Sequence, residues 1–104
     1  MPVTQIDGHS VHVDPEGFLT DDDEWTEELA ASMARLIGIQ LTDEPWKAIR
    51  FARQDYKEKG EAPTLRRLNA TGGIATRSMF ALFPQKPAKK LAYVAGLPKP
   101  RGCV

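Results

Sequence analysis

The sequence predicts a mostly helical α+β protein: a small helical bundle with an N-terminal β-hairpin, a helix-turn-helix-like pair and an extended C-terminal arm. Its 104 residues, 41% of them apolar, suffice for one compact core and are too few for two. Apolar residues recur at intervals of three and four through the middle of the chain, and prolines concentrate after position 83. We therefore expect one domain, with the hairpin and bundle in residues 1–83 and the arm in residues 84–104.

The N-terminal segment predicts a β-hairpin over residues 3–13. Val3 and Ile6 precede Asp7-Gly8, a dipeptide that strongly favours a two-residue turn, and Val11 and Val13 follow it in alternation with polar residues. His9 and His12 fall in the second strand, but a separation of three residues places them on opposite faces. We therefore expect no shared metal ion there and no metal site in the protein.

Two amphipathic helices are predicted next. Residues 21–23 supply a cap and first-turn acids for the first helix, and Gly38 ends it. Thr42 caps the second helix, which tolerates a proline in its first turn and ends at Gly60. The expected inner face of the first helix comprises Trp25, Leu29, Met33, Leu36 and Ile37.

Two shorter helices, over residues 65–70 and 74–83, are joined by a turn that contains two glycines. The pattern is typical of DNA-binding helix-turn-helix pairs and also of ordinary helix packing. Ordinary packing is the better interpretation, because the chain has no net charge and no second recognition device. The candidate nucleic-acid contacts on this pair are Arg66, Arg67 and Arg77.

Charge is distributed unevenly along the chain. Residues 1–47 carry a net charge of −9, and residues 48–104 carry +9. The second part therefore favours an anionic partner. Alternatively, the two parts face each other or are simply solvated.

The predicted arm contains four prolines, five cations and no acidic side chain. Pro98-Lys99-Pro100 restricts the backbone to extended geometry, so we expect a semi-rigid projecting end. The apolar residues 91–97 are expected to lie on the domain or to form a short helical turn.

Cys103 is the one cysteine of the chain. A single thiol excludes an intrachain disulfide, a zinc ribbon, an iron–sulfur site and dithiol redox chemistry. A lone cysteine is usually inert packing, but a glycine, two prolines and the end of the sequence surround this one, so we expect an accessible thiol. Lys99 and Arg101 lower the pKa of such a thiol and the Val104 carboxylate raises it, and the sequence leaves the balance open.

The rest of the sequence offers no catalytic triad, no convincing carboxylate pair and no cofactor fingerprint, so we expect no cofactor and no self-contained catalysis. An apolar run of membrane-spanning length and a signal-peptide pattern are also absent. These observations favour a cytoplasmic protein without membrane association. We expect a monomer from the size and from the lack of a long apolar stripe.

Several motifs resemble the DsrC/TusE family, and they cover nearly the whole chain. The most specific is Ala95-Gly96-Leu97-Pro98-Lys99-Pro100-x-Gly102-Cys103-Val104. Others are Asp14-x-x-Gly17-Phe18-Leu19, Trp25, Leu82-Phe83-Pro84, and Glu44-x-Trp46 followed by Ile49-Arg50-Phe51-x-Arg53-x-x-Tyr56. The resemblance implies an orthogonal helical bundle with a hairpin, and a mobile arm whose Cys103 accepts sulfur as a persulfide.

The resemblance also implies partners. A relay complex similar to TusBCD would donate sulfur, and a tRNA 2-thiouridylase with its bound tRNA would accept it. The candidate binding residues on the arm are Lys89, Lys90, Lys99, Arg101 and Gly102, whose cations favour an acidic pocket or an RNA backbone.

Two departures from the family pattern indicate which branch of the family the sequence resembles. Family members similar to the sulfite reductase partner carry a second cysteine where this chain has Ala92, and an insertion where it has the short Thr71-Gly72-Gly73 connection. A one-thiol sulfur carrier in tRNA thiolation or sulfur oxidation is therefore the main hypothesis. The alternatives are a DsrC-like partner of sulfite reductase, a DNA-binding redox regulator, and an assembly subunit whose arm only docks.

Overall fold

The computed structural model describes residues 3–6 and 8–99 and confirms the predicted class. Within those residues a hairpin of β1 (Val3–Ile6) and β2 (His9–His12) precedes five helices. The helices are α1 (Glu27–Leu36), α2 (Asp43–Lys59), α3 (Leu65–Ala70), α4 (Thr76–Leu82) and α5 (Pro87–Val94). No helix in this part of the chain is long and apolar enough to cross a membrane.

The hairpin forms as predicted and covers one side of α1. Its strands are antiparallel, with Ile6 opposite His9 across a two-residue turn in which Gly8 has a φ of 83°. Ile6 and Val11 are buried in a cluster with Leu29 and Met33 of α1. The alternation of the strands therefore gives the sheet one apolar face against the helix and one face in solvent.

The two histidines of β2 contact different acidic residues. The backbone N–H of His12 donates to Glu24 Oε1 at 2.8 Å, and its ring Nδ1 lies 2.7 Å from Glu24 Oε2. His9 Nε2 lies 3.8 Å from a carboxylate oxygen of Glu28. Across residues 3–6 and 8–99, no group of three or more His, Cys, Asp or Glu side chains is arranged to hold a metal ion.

We expect the Glu24 carboxyl to titrate below its ordinary pKa of 4.5, because the backbone and ring of His12 both hydrogen-bond to its charged form. The contribution of this contact to stability is present above the ordinary pKa and is lost as the pH falls through the lowered one. A ¹³C NMR titration of the side chain measures the shift. His12→Ala removes the ring and keeps the backbone N–H, so the Glu24 midpoint should rise part of the way, and an unchanged midpoint would contradict the contribution of the ring.

Helix α1 begins later than predicted. Asp21 accepts a hydrogen bond from the Asp23 backbone at 3.0 Å and so forms a separate 3₁₀ turn over Asp22–Glu24. The cap of α1 is Thr26, whose hydroxyl accepts from Leu29 N at 3.0 Å. The assignment of residues 21–23 as its cap and first turn is therefore wrong.

The end of α1 lies where Gly38 predicted it, but the expected inner face is wrong at Leu36, which is 65% exposed. Gly38 has a φ of 74°, and the Ile39 N–H donates to Ala34 O at 2.8 Å. This left-handed turn folds Ile39 back into the core, so that Ile39 is buried and Leu36 in the last helical turn is not.

Helix α2 is central to the larger core and contacts both α3 and α5. Its alanines at positions 48 and 52 are fully buried. Thr42 occupies the predicted cap position without a side-chain capping bond, and Gly60 ends the helix with a φ of 77°. Small residues on the buried side of α2 permit the close approach of its neighbours.

Helix α3 has its predicted bounds, and Thr64 caps it. Helix α4 is shorter than predicted, because the Ile74 N–H donates to Leu68 O at 3.0 Å and so belongs to the turn between the two helices.

The folded core extends well past residue 83. Helix α5 begins with Pro87 and buries Ala88, Leu91 and Val94 against α1, α2 and α4. Leu97, three residues after the helix, is fully buried. An arm can therefore begin only after Leu97, because the apolar residues that precede it fill the core.

Candidate functional site

The end of α5 is fixed by a left-handed turn at Gly96, whose φ is 73°. The Leu97 N–H donates to Ala92 O at 2.9 Å, and the Gly96 N–H donates to Tyr93 O at 3.3 Å. This pair of bonds is a Schellman motif, which normally has an apolar residue in the position that Leu97 occupies. The backbone is thus held up to Leu97, and Pro98 and Lys99 are exposed beyond it.

Two side chains from distant parts of the sequence hold this turn from outside. Trp25 Nε1 donates to Val94 O at 2.9 Å, and Arg53 Nη1 donates to Ala95 O at 2.8 Å. The Arg53 guanidinium lies 4.0 Å from the centre of the Trp25 ring, in a cation–π arrangement. These bonds satisfy carbonyls at the end of α5 that the helix itself leaves unpaired.

We call Trp25, Arg53 and residues 94–97 the tail anchor. The indole packs so tightly on Gly96 that a Cβ there would lie 2.4 Å from Trp25 Cδ1. The tail anchor therefore fixes the position and direction from which residues 98–104 continue.

Sequence reasoning missed the tail anchor as a unit. It placed Trp25 on the inner face of the first helix and Arg53 along one side of the second, and connected neither to residues 94–97. The signal that was available is the co-occurrence of a tryptophan, an arginine and a glycine in the family motifs.

An open pocket of about 380 Å³ lies beside α5. Its rim carries Lys86, Lys89 and Lys90, and its one acidic lining residue is Glu16. We call it the lysine pocket. Glu16 Oε1 accepts a hydrogen bond from Lys99 Nζ at 3.2 Å and lies 3.8 Å from Lys89 Nζ. One carboxylate thus bridges a lysine of α5 and a lysine of the segment after the tail anchor.

Apolar side chains form the floor of the lysine pocket: Phe18, Ile37 and Tyr93. Phe18 and Tyr93 pack edge to face with ring centres 5.9 Å apart. Tyr93 is half-buried, and burial raises the pKa of its phenol above the ordinary 10.0. The phenol is therefore a neutral group at physiological pH.

The predicted site residues separate into three sets. Cys103, Arg101 and Gly102 lie outside the described residues. Lys89 and Lys90 line the lysine pocket, and Glu16 joins Lys99 to it. Lys90 Nζ also donates to Pro84 O at 2.6 Å. The candidate nucleic-acid residues Arg66, Arg67 and Arg77 form the third set.

Arg66 and Arg77 are exposed, but Arg67 has a structural partner. Its guanidinium binds Asp55, with Nε donating to Oδ2 at 3.1 Å and Nη2 donating to Oδ1. Asp55 is a buried carboxylate of α2, and its proximity raises the pKa of Arg67. The ion pair connects α3 to α2 and gives Arg67 a role in the fold.

We expect Arg67→Ala to lower the melting temperature by about 5 °C or more, because it leaves the buried Asp55 carboxylate without its partner. Arg66→Ala removes the same charge from the neighbouring exposed position and should leave the melting temperature nearly unchanged. Thermal unfolding followed by circular dichroism measures both. Equal effects of the two substitutions would contradict the structural role of Arg67.

Position 92, where some relatives are expected to carry a second cysteine, is inside the core. Ala92 is 1% exposed, and its carbonyl accepts the Leu97 bond of the tail anchor. The described residues contain no cysteine, so every thiol reaction of this chain belongs to Cys103.

Comparison with known proteins agrees with the motifs and the fold. A family model described as "DsrC like protein" matches residues 5–104. The chain belongs to the DsrC family. Among its relatives is Sulfurtransferase TusE of Escherichia coli strain K12, 37% identical over 106 residues that cover 95% of this chain and 97% of the relative.

Solved structures of DsrC family members have the same fold. The NMR structure of Allochromatium vinosum DsrC is 38% identical, with a TM-score of 0.82 over 98% of this chain and 97% of its own. A chain from the crystal structure of dissimilatory sulfite reductase I is 36% identical, with a TM-score of 0.83 over 99% of this chain and 100% of its own. The fold and the family that the sequence motifs indicated are both confirmed.

Proposed function

We propose that this DsrC family protein is a sulfur carrier, which accepts sulfane sulfur as a persulfide on Cys103 and passes it to a partner protein. The observation that carries the proposal is that Cys103 is the single thiol of a chain whose relatives over 95% of its length are sulfurtransferases. The tail anchor supports it, because the segment that carries Cys103 continues from a rigidly held turn.

The chemistry needs a thiolate and access, and no cofactor. The Cys103 thiolate attacks the outer sulfur of a donor persulfide, R–S–SH. A new S–S bond forms at Cys103, the donor's S–S bond breaks, and the electron pair leaves on the donor as its thiolate. The outer sulfur keeps its proton, so no oxidant or reductant is consumed. Attack by an acceptor thiolate on Cys103–S–SH repeats the step and regenerates Cys103.

The finer partner assignments are part of the same proposal and rest on the resemblance of the sequence motifs to the family. The donor is a relay complex similar to TusBCD, and the acceptor is a tRNA 2-thiouridylase, through which the protein would approach tRNA as a monomer. The cations Lys89, Lys90, Lys99 and Arg101 favour an acidic surface on these partners. Gly102 has no side chain, so the chain beside Cys103 has a small cross-section that can enter a partner's pocket.

Loading with sulfur tests the proposal. The purified protein is incubated with a persulfidated relay donor, and its intact mass is measured. We expect a gain of one sulfur atom per chain, which a reductant removes. Alkylation of Cys103 before incubation should prevent the gain. No mass gain in the unblocked protein would overturn the proposal.

A second candidate function is association with a sulfite reductase, which is favoured by the 0.83 TM-score to a chain of dissimilatory sulfite reductase I. A form of that role that uses two cysteines of one chain is disfavoured by Ala92. With alanine at position 92, Cys103 has no intrachain thiol with which to form a disulfide. The two functions are distinguished by whether a relay donor or a sulfite reductase complex binds the protein and exchanges sulfur with Cys103.

A DNA-binding redox regulator receives less support. Arg67 is paired with Asp55, so two of the three candidate arginines stay exposed to a duplex. The regulator hypothesis requires reduced gel mobility of a duplex at low salt, with a steep salt dependence. Unaltered mobility would remove it, and a Cys103→Ser variant with full cellular function would instead favour the assembly-subunit hypothesis.

A further inference from the structure

We infer that the lysine pocket is a docking site for an acidic segment of a partner protein, with one large apolar side chain on the pocket floor and carboxylates on the lysines. The inference rests on the proposed function only where it identifies the partner as a relay protein. Binding to the pocket is measured without any sulfur transfer, so the two proposals fail independently.

The size of the pocket fits such a segment. Its volume of about 380 Å³ lies near the lower end of the range of about 300–1,000 Å³ that ligand pockets span. It is open to solvent and is lined in part by half-buried residues of α5. A single aromatic or branched side chain can enter it and leave room for part of the flanking backbone.

The charge on the rim favours carboxylates. Three lysines face one acidic lining residue, Glu16. Glu16 itself illustrates the mode of binding, because its carboxylate contacts Lys89 and Lys99 together. An ammonium group has three donors, so a lysine that already makes one contact can donate to a second carboxylate.

The apolar floor favours a protein segment over nucleic acid. Phe18, Ile37 and Tyr93 give the pocket a base that a phosphate group does not use. The Tyr93 ring is engaged in an edge-to-face contact with Phe18, so it is not an open face for base stacking. A nucleic-acid strand is usually bound along a basic groove with open aromatic faces. The lysine pocket is one depression with a mixed rim.

The position of the pocket connects docking to sulfur transfer. The Lys99–Glu16 ion pair joins the rim to the segment directly after the tail anchor. A partner held at the pocket therefore lies beside the point from which residues 100–104 continue toward Cys103. Its carboxylates compete with Glu16 for Lys89 and Lys99.

The test uses the full-length ¹⁵N-labelled protein and a capped hexapeptide of five glutamates with one phenylalanine at the third position. We expect NMR shifts concentrated at residues 16–18, at Ile37 and at residues 86–93. Replacing the phenylalanine by serine should weaken binding about tenfold, and replacing the glutamates by lysines should abolish it. Shifts elsewhere, or none at millimolar peptide, would overturn the proposal.

Matched variants separate the site from general electrostatics. Lys86→Gln with Lys89→Gln should weaken peptide binding about three- to tenfold. Lys57→Gln with Lys59→Gln removes the same charge from exposed positions in the last turn of α2 and should change it less than twofold. Equal losses, or pocket shifts produced by a uridine octanucleotide and not by the peptide, would contradict docking of an acidic protein segment.

Discussion

Replacing Gly96 by alanine is expected to destabilise the protein by about 3–5 kcal/mol, a large fraction of the stability of a small domain. Two costs add. A non-glycine residue at a φ of 73° is strained by about 1–2 kcal/mol. The new methyl group would also lie within 3 Å of three Trp25 atoms, so the indole must move away from its hydrogen bond to Val94. Denaturant unfolding measures the loss.

The chain provides a matched control for the Gly96 prediction. Gly38 has nearly the same backbone, with a φ of 74°, and also ends a helix, but a Cβ there would meet no atom within 4 Å. Gly38→Ala should therefore show only the backbone strain, about 1–2 kcal/mol. The excess loss at Gly96 isolates the contact with Trp25, and equal losses at the two positions would show that the tail anchor is not rigid.

Local signals made much of the fold predictable. Asp7-Gly8 predicted the hairpin register, and Gly38 and Gly60 predicted the helix ends. These features depend on the residue types at the turn itself, because few residues other than glycine adopt a left-handed backbone. The start of α1 was missed because two residues of this segment can cap: Asp21 caps the short 3₁₀ turn, and Thr26 caps the helix. Competing caps are resolved by packing, which a local pattern does not contain.

Candidate site residues could be predicted only where a residue type or a motif itself indicates the chemistry. Cys103 and the cations Lys89, Lys90 and Lys99 were named as candidates from composition and motif, and the three lysines lie at or beside the lysine pocket. The tail anchor was not, because Trp25 and Val94 are 69 residues apart and Arg53 and Ala95 are 42 apart. The prolines and lysines near α5 indicated an arm, whereas the burial of Leu91 and Leu97 makes the segment between them part of the core. Long-range packing decided both.

Substituting Cys103 with serine is expected to abolish sulfur loading completely while leaving the fold and the tail anchor intact. A serine hydroxyl is not ionised at neutral pH and does not attack a persulfide sulfur, whereas a thiolate does. The chain has no other thiol to replace it. Intact-mass measurement after incubation with the donor should show no added sulfur, and thermal unfolding should match that of the unsubstituted protein.

A variant with its thiol at another position tests whether sulfur loading depends on the location of the thiol as well as on its reactivity. Ser10 is an exposed residue of the hairpin, so Ser10→Cys in the Cys103→Ser background restores one accessible thiol far along the sequence from position 103. This variant should react with a small alkylating reagent and yet gain no sulfur from the protein donor, because the donor must recognise the segment that the tail anchor presents. Loading of the relocated thiol at the original rate would mean that the donor reads thiol exposure alone, and the tail anchor would then have no part in transfer.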